Sequence, residues 1–451
     1  TASLQIYYIG WTDYLSNYNL TLARMDGSVD LVGTGTDWLD AWPNAKNGAF
    51  LELDEEMLAK YAPVTYETVP QEDWDLCKYN DNIYLMPEDN YAQWTNHGFA
   101  YRLDWAKEAG LEDGVHSWED MTTYFKYVCD NKDELGVVTP WDSDGTQFSQ
   151  MAGGWISSHS DFVSIDGLAA AAYWGGTKDD LYTIVSPLYT DTDSLVEFAK
   201  MMKEWDEMGV WKTDVLNNTS SDNREDFKLG KTAAEQHHTE TWTDLVSKTP
   251  ENVPGAEVGF FWFGEEEKNV TALNITHGAM AVSYGSENPE RALMVYDLLR
   301  NDAECYDLIN YGQKGVQWDV NDEGLRITPE SYNSDTDGIT TNFWWGRNDL
   351  LEIRDATKDW DKIDVMYKEL EDAAIDYPYG KFVANVDDIQ SYINNINEVN
   401  TNYMKQIAYG KYTGTAEEIV AEYQQALKDA GMDIVIEELQ KQLNEVYGDA
   451  E

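Results

Sequence analysis

The sequence predicts an α/β protein of two domains that closes on a helical C-terminal region. Three observations carry this expectation. A chain of 451 residues is longer than one hydrophobic core usually grows. Short apolar runs bounded by Gly, Pro, Asn and Asp alternate with segments of helical periodicity from Leu4 to Leu299. From Thr415 onward the apolar residues recur only at helical spacing.

Taken in order, Leu4 to Ile9 alternates as a strand that ends at Gly10-Trp11-Thr12-Asp13-Tyr14, and Leu15 to Met25 suits a helix. Asp30 to Gly35 is a second strand with a polar tip, Thr36-Asp37-Trp38. Ile83 to Met86 is a short apolar strand stopped by Pro87, and a polar loop from Glu88 to His97 follows, carrying Tyr91 and Trp94. Gly98 to Arg102 is a further strand and Leu103 to Ala109 a short helix that Gly110 can end. Ser117 and Asp120 have capping-box spacing ahead of Met121, Tyr124, Phe125 and Val128, which share one helix face. Leu195, Phe198, Met202 and Trp205 share the face of a helix over 193–209, closed by Gly209. Phe227 to Ala233 precedes a strand that ends within Glu235 to Glu240, and residues 259–263 form an apolar strand. Asn288-Pro289 opens another helix. Thr415 and Glu418 form a capping box before the stripe Ile419, Tyr423, Leu427 and Ala430, and Val435, Leu439, Leu443 and Val446 form a second stripe.

Several of these stretches resemble the extracellular solute-binding proteins of ABC importers (family 1 type). The carriers are Tyr101-Arg102-Leu103-Asp104, the helix start with Gly114, Trp118, Glu119 and Asp120, and the Phe227, Gly230, Lys231, Ala233 pattern. Tyr306, Leu308, Ile309, Asn310, Tyr311, Gly312, Gly315 and Trp318 are similar to the corresponding run of the LipO-like lipoprotein subfamily, as are the closing helices. The likeness covers nearly the whole chain, although each motif alone is loose. It implies a two-lobe, periplasmic-binding-protein-like (type II) fold of the Venus flytrap kind. Residues 1–100 and 275–330 would form the N-terminal lobe, and 103–270 and 335–451 the C-terminal lobe, with hinge crossings near 100–104 and 270–280. It also implies a first strand and helix upstream of residue 1, and a lipid anchor through an upstream cysteine at the outer face of a Gram-positive-type membrane. No catalysis is implied.

Composition narrows the ligand. Against 31 basic residues stand 84 acidic ones, a net charge of −53, which repels nucleic acid and anionic membrane. Three widely spaced cysteines rule out a Cys₄ zinc site and a disulfide-dense scaffold, leaving one disulfide open. No run of about 18 apolar residues is present. Neighbouring His237 and His238 on a strand point to opposite faces and are poorly placed to share a metal ion. The Asn333 to Gly338 stretch has Trp344 where a calcium loop requires Glu. No cofactor is expected. The 18 tryptophans and 29 tyrosines exceed ordinary usage and suit sugar stacking, with core packing as the alternative for any one ring.

The expectation is therefore a monomeric binding protein. It would capture a neutral oligosaccharide in an inter-lobe cleft and deliver it to ABC permease subunits. Candidate ligand contacts are Trp11, Asp13, Asp37, Trp38, Glu88, Tyr91, Trp94, Asn96, Gln236, His238, Trp242, Trp344, Trp345 and Arg347, with at least one of Trp344 and Trp345 exposed. Two rivals remain open: a glycoside hydrolase, for which no local motif nominates a carboxylate pair, and a binding protein for peptides or other solutes.

Overall fold

A computed structural model of the chain describes residues 4–7, 9, 11–88, 94–168, 172–339 and 343–448, with the backbone alone at 11–13, 15 and 16. It is a mixed α/β structure in two compact units, Thr1–Ala92 with Asn274–Thr357, and Gln93–Leu273 with Lys358–Glu451. In chain order the strands are β1 (Leu31–Thr34), β2 (Lys78–Tyr79), β3 (Asn82–Ile83), β4 (His97–Arg102), β5 (Phe162–Ser164), β6 (Gly175–Thr177), β7 (Ala234–His238), β8 (Val258–Trp262), β9 (Ala279–Val282), β10 (Asp319–Val320) and β11 (Arg326–Ile327).

In the first unit β1 pairs antiparallel with β9, from Leu31 opposite Val282 to Thr34 opposite Ala279. Phe50 bridges Ser283 and Met86 bridges Met280, both on the edge of β9 that faces away from β1. Helix Pro289–Asn301 is tied to helix Pro63–Thr68 by the Asp297 carboxylate, which accepts from the Thr65 amide at 2.7 Å and the Thr65 hydroxyl at 2.8 Å. One turn on, buried Arg300 donates to the Pro87 carbonyl at 2.5 Å and to the Tyr296 hydroxyl at 2.8 Å. That pair of bonds fixes the chain directly before Glu88.

The second unit is built on the antiparallel order β7-β4-β8, with β4 central. Helix Trp118–Asp130 begins where the Ser117 side chain accepts from the Asp120 amide, and buries Trp118, Met121, Tyr124, Phe125 and Val128. Trp118 stacks on Phe263 with ring centroids 5.3 Å apart and on Trp205 at 5.8 Å, and Phe99 meets Trp141 edge-on at 5.1 Å. Aromatic pairs of this geometry contribute about 0.5–1.5 kcal/mol each beyond the area they bury. Trp155 and Trp174 also lie in this core. The closing helices Ala416–Asp429 and Met432–Tyr447 bury Ile419, Tyr423, Leu427, Val435, Leu439 and Leu443, whereas Val446 is exposed at the frayed end of its stripe.

Four expectations are corrected. Residues 4–7 and 9 form no strand; among the described residues β1 has β9 alone as its partner, and Leu4, Ile6 and Tyr7 are exposed. A helix runs over Trp11–Leu22, so Trp11 and Asp13 stand in its first turn and not in a loop beyond a strand. The first boundary between units falls at 92/93, ahead of 100–104. There Tyr101 is inside the central strand, and Arg102 is braced by Asp104 at 2.6 Å and lies 4.1 Å over the Trp105 ring. Residues 335–357 belong to the first unit, with a third boundary at 357/358; the backbone bond from the Arg326 amide to the Arg354 carbonyl holds them there. The boundary at 273/274 lies within 270–280. All three cysteines are free thiols.

Candidate functional site

In the first unit the polar tip after β1 meets the segment before β9. The Thr36 amide donates to the Thr276 carbonyl at 3.1 Å, and the Trp38 indole donates to the His277 carbonyl at 2.9 Å. His277 Nδ1 lies 2.6 Å from Asp37 Oδ2. Trp38 stacks on Trp345 with centroids 5.4 Å apart and planes 15° apart. Trp344 stands edge-on to Trp38, Trp345 and His277, at 6.0, 4.7 and 5.4 Å. All three indoles are partly exposed. Two glycines make this possible. A Cβ on Gly33 would sit 2.4 Å from the Trp345 ring, and one on Gly35 would sit 2.4 Å from the His277 carbonyl.

Glu88 lies beneath this platform, 5% exposed, with its Oε2 close to Gly278 and without a hydrogen-bond partner among the described residues. Burial pushes its carboxyl up to about 8, against the opposing pull of His277, the Gly278 amide and Arg347. At neutral pH it is therefore mostly protonated, able both to donate and to accept. Asp37 Oδ1 is also buried without a partner among the described residues. Arg347 donates to Glu352 Oε1 at 3.2 Å. The cluster offers ring faces for apolar sugar surfaces and oxygen acceptors for hydroxyls.

In the second unit the carboxyl end of β7 meets the amino end of β4. Gln236 is buried and joins His97, with Nε2 to Nδ1 at 2.9 Å. Asn96 Oδ1 accepts from the Thr239 hydroxyl at 2.8 Å. His238 caps helix Thr239–Asn252, its Nδ1 accepting from the Thr241 amide. The expected divergence of His237 and His238 is corrected: β7 ends at His238, and the two rings meet with centroids 4.1 Å apart. Burial pushes the His97 imidazole down to about 4. Burial, aided by His238, Arg224 and His97, pushes His237 down to about 2. Among the described residues no group of three or more His, Cys, Asp or Glu is arranged to hold a metal ion.

The sequence-derived candidates thus separate into groups. Asp37, Trp38, Glu88, Trp344, Trp345 and Arg347 gather in the first unit, and Asn96, Gln236 and His238 in the second. Trp94 and Trp242, expected at polar positions, are instead 8% and 3% exposed and pack in a core cluster with Phe260 and Trp262. The loop turns inward because the Glu240 amide, at the start of the helix, bonds the Trp94 carbonyl. Tyr91 lies outside the described residues, as do the side chains of Trp11 and Asp13. Sequence reasoning missed His277 and His97. Each directly precedes a glycine, His277 just ahead of β9 and His97 as the first residue of β4, a signal for a side chain at a strand's entrance.

A curated protein of Streptococcus pneumoniae serotype 4, a carbohydrate ABC transporter substrate-binding protein, is 24% identical over 455 residues, spanning 98% of this chain and 84% of the relative. Over nearly its whole length the chain is thus similar to a substrate-binding protein of an ABC importer. The crystal structure of the N-glycan transport solute-binding protein NgtS from Streptococcus pneumoniae matches the solute-binding fold of this chain with a TM-score of 0.70 and 19% identity, covering 98% of this chain and 91% of that one. The same protein in complex with Man1GlcNAc matches with a TM-score of 0.65 and 20% identity, over the same shares of the two chains. A solute-binding protein from Bifidobacterium longum infantis described as HMO-binding matches with a TM-score of 0.64 and 13% identity, over 98% and 92% of the two chains. A family profile described as a domain of unknown function, DUF3502, matches residues 378–447. No helix of the described residues is long and apolar enough to cross a membrane.

Proposed function

We propose that this chain binds a neutral oligosaccharide at the outer surface of the cell and delivers it to the permease subunits of an ABC importer. The observation that carries the reading is the partly exposed platform of Trp38, Trp344 and Trp345, flanked by Asp37 Oδ1 and Glu88 Oε2, which have no hydrogen-bond partner among the described residues. Aromatic rings cover apolar sugar faces, while carboxyl oxygens take up hydroxyl donors. The names of the relatives support the substrate class: one is a carbohydrate substrate-binding protein, and NgtS was solved with a mannose–GlcNAc glycan. A lipid anchor and no catalysis, as the resemblance implies, together with a monomeric state, complete the proposal.

Calorimetric titration against a panel of neutral glycans, uronic-acid oligomers and peptides tests it. Neutral oligosaccharides should bind without release of reducing ends. Binding of peptides alone, or turnover lost on changing one carboxylate, would overturn it. Labelling of the full-length protein with a radioactive fatty acid tests the anchor.

A further inference from the structure

The hydrogen bonds around His97 run in one direction. The Gln236 backbone carbonyl can only accept, so Gln147 must turn its amide nitrogen toward it, at 2.9 Å. That nitrogen also lies 3.2 Å from Gln236 Oε1, and the Gln147 oxygen accepts from the Ser143 hydroxyl at 2.8 Å. With its oxygen committed to Gln147, Gln236 presents its Nε2 to His97 Nδ1 at 2.9 Å. Nδ1 must then accept, which puts the ring proton on Nε2. Among the described residues no hydrogen bond uses His97 Nε2.

His97 sits at the rim of its sheet, partly exposed, while Gly98 to Arg102 are buried. Unsatisfied donors lie in the chain on either side of this sheet end. Trp94 Nε1, Trp242 Nε1 and Asn96 Nδ2 are buried without partners among the described residues; Trp94 and Asn96 lie in the segment before β4, Trp242 in the helix after β7, and backbone bonds from Thr239 and Glu240 to Asn96 and Trp94 tie the two segments together. The titratable groups facing the ring are His237 and His238, with centroids 5.6 and 6.1 Å away. Beyond them, Arg224 and Glu235 bond each other at 3.1 Å.

We propose that His97 is a ligand-contacting residue whose Nε2–H donates to an acceptor oxygen of the glycan, and that Ser143, Gln147 and Gln236 are positioning residues that hold the ring neutral and in that tautomer. This rests on the proposed oligosaccharide function. Protonating the ring would set an Nδ1–H against the Gln236 amide N–H, so the arrangement resists charging. A neutral donor also gives a carboxylated sugar no ionic partner here.

Nitrogen-15 NMR of the imidazole rings in the whole protein reads the tautomer directly. The expected result is an Nε2–H ring for His97 that does not titrate between pH 5 and 8. Gln236→Glu replaces a donor by an acceptor, so the His97 proton should move to Nδ1 or the ring should titrate inside that range. Affinity for the best glycan of the panel should then fall tenfold or more at pH 8 and recover toward pH 5, where the imidazolium again offers Nε2–H. His97→Ala should lose more affinity than His97→Gln, which keeps an N–H donor; both can be checked for folding by thermal melting. An Nδ1–H ring in the unmodified protein overturns the positioning chain. Glycan binding unchanged in folded His97→Ala overturns the contact alone, whereas absence of any glycan binding removes it together with the proposed function.

Discussion

At the scale of single residues, the first unit places its ionisable chemistry under its aromatic platform. The Glu88 carboxyl is raised to about 8 by burial, so its folded state favours the protonated form. Its contribution to stability is fully present below about 4.5, the ordinary value, and is lost as pH rises through about 8. Glu88→Gln should therefore flatten the decline in thermal stability across that window; an unchanged pH profile would show that this carboxyl is solvated. His97 and His237 act with the opposite sign, since burial lowers both. The stability that their neutral forms supply is present above about 6.5 and is lost as pH falls toward about 4. Trp38→Ala and Trp345→Ala each remove one face of a stacked pair, and each should cost about 2 kcal/mol or more of glycan binding if the pair anchors the ligand. Trp94→Ala should behave differently, lowering stability by roughly 3–5 kcal/mol, as buried aromatic truncations do, because its ring is part of the core.

At the scale of elements, caps and close approaches decide what the local sequence becomes. Both halves of the predicted box at Thr415 and Glu418 form, with reciprocal bonds of 2.9 and 3.2 Å. Thr415→Ala should cost about 1 kcal/mol in urea denaturation; no measurable change would mean that packing alone holds that helix. Gly33 lets the Trp345 ring lie against β1, so Gly33→Ala should displace the ring and weaken glycan binding while leaving the β1–β9 ladder formed. The helices at Trp118, Thr192 and Pro289 were legible from capping residues and apolar spacing. Residues 4–7 and 9 form no strand, because alternation alone supplies no ladder partner and an unpaired strand leaves its backbone groups to solvent.

At the scale of the whole molecule, charge and connectivity set the remaining expectations. The net charge of −53 makes the field of the protein unfavourable to anions. Affinity for a neutral glycan should then change little between low salt and about 1 M salt, as the screening length falls from roughly 10 Å to roughly 3 Å. A tenfold or greater weakening in calorimetric titration, about 1.4 kcal/mol, would point to a charged sugar. The chain crosses between its two compact units three times, and the crossing at 357/358 carried no signal in local composition.

By itself the sequence determined the α/β class, the two-unit organisation, the helix starts and the acidic surface, and it named every member of the first unit's cluster except His277: Asp37, Trp38, Glu88, Trp344, Trp345 and Arg347 lie in polar stretches holding large rings or charges. Those are local signals, carried by turn residues, caps and spacing within a few positions. Only the tertiary structure decided which indoles are core, that His277 completes the platform, and that Gln236 faces His97 Nδ1. Trp38 meets the His277 carbonyl across 239 positions, and Gln147 meets Gln236 across 89. Contacts of that separation depend on how strands pair and on which side chains fill the space left between them, and nothing within a single stretch of chain encodes them.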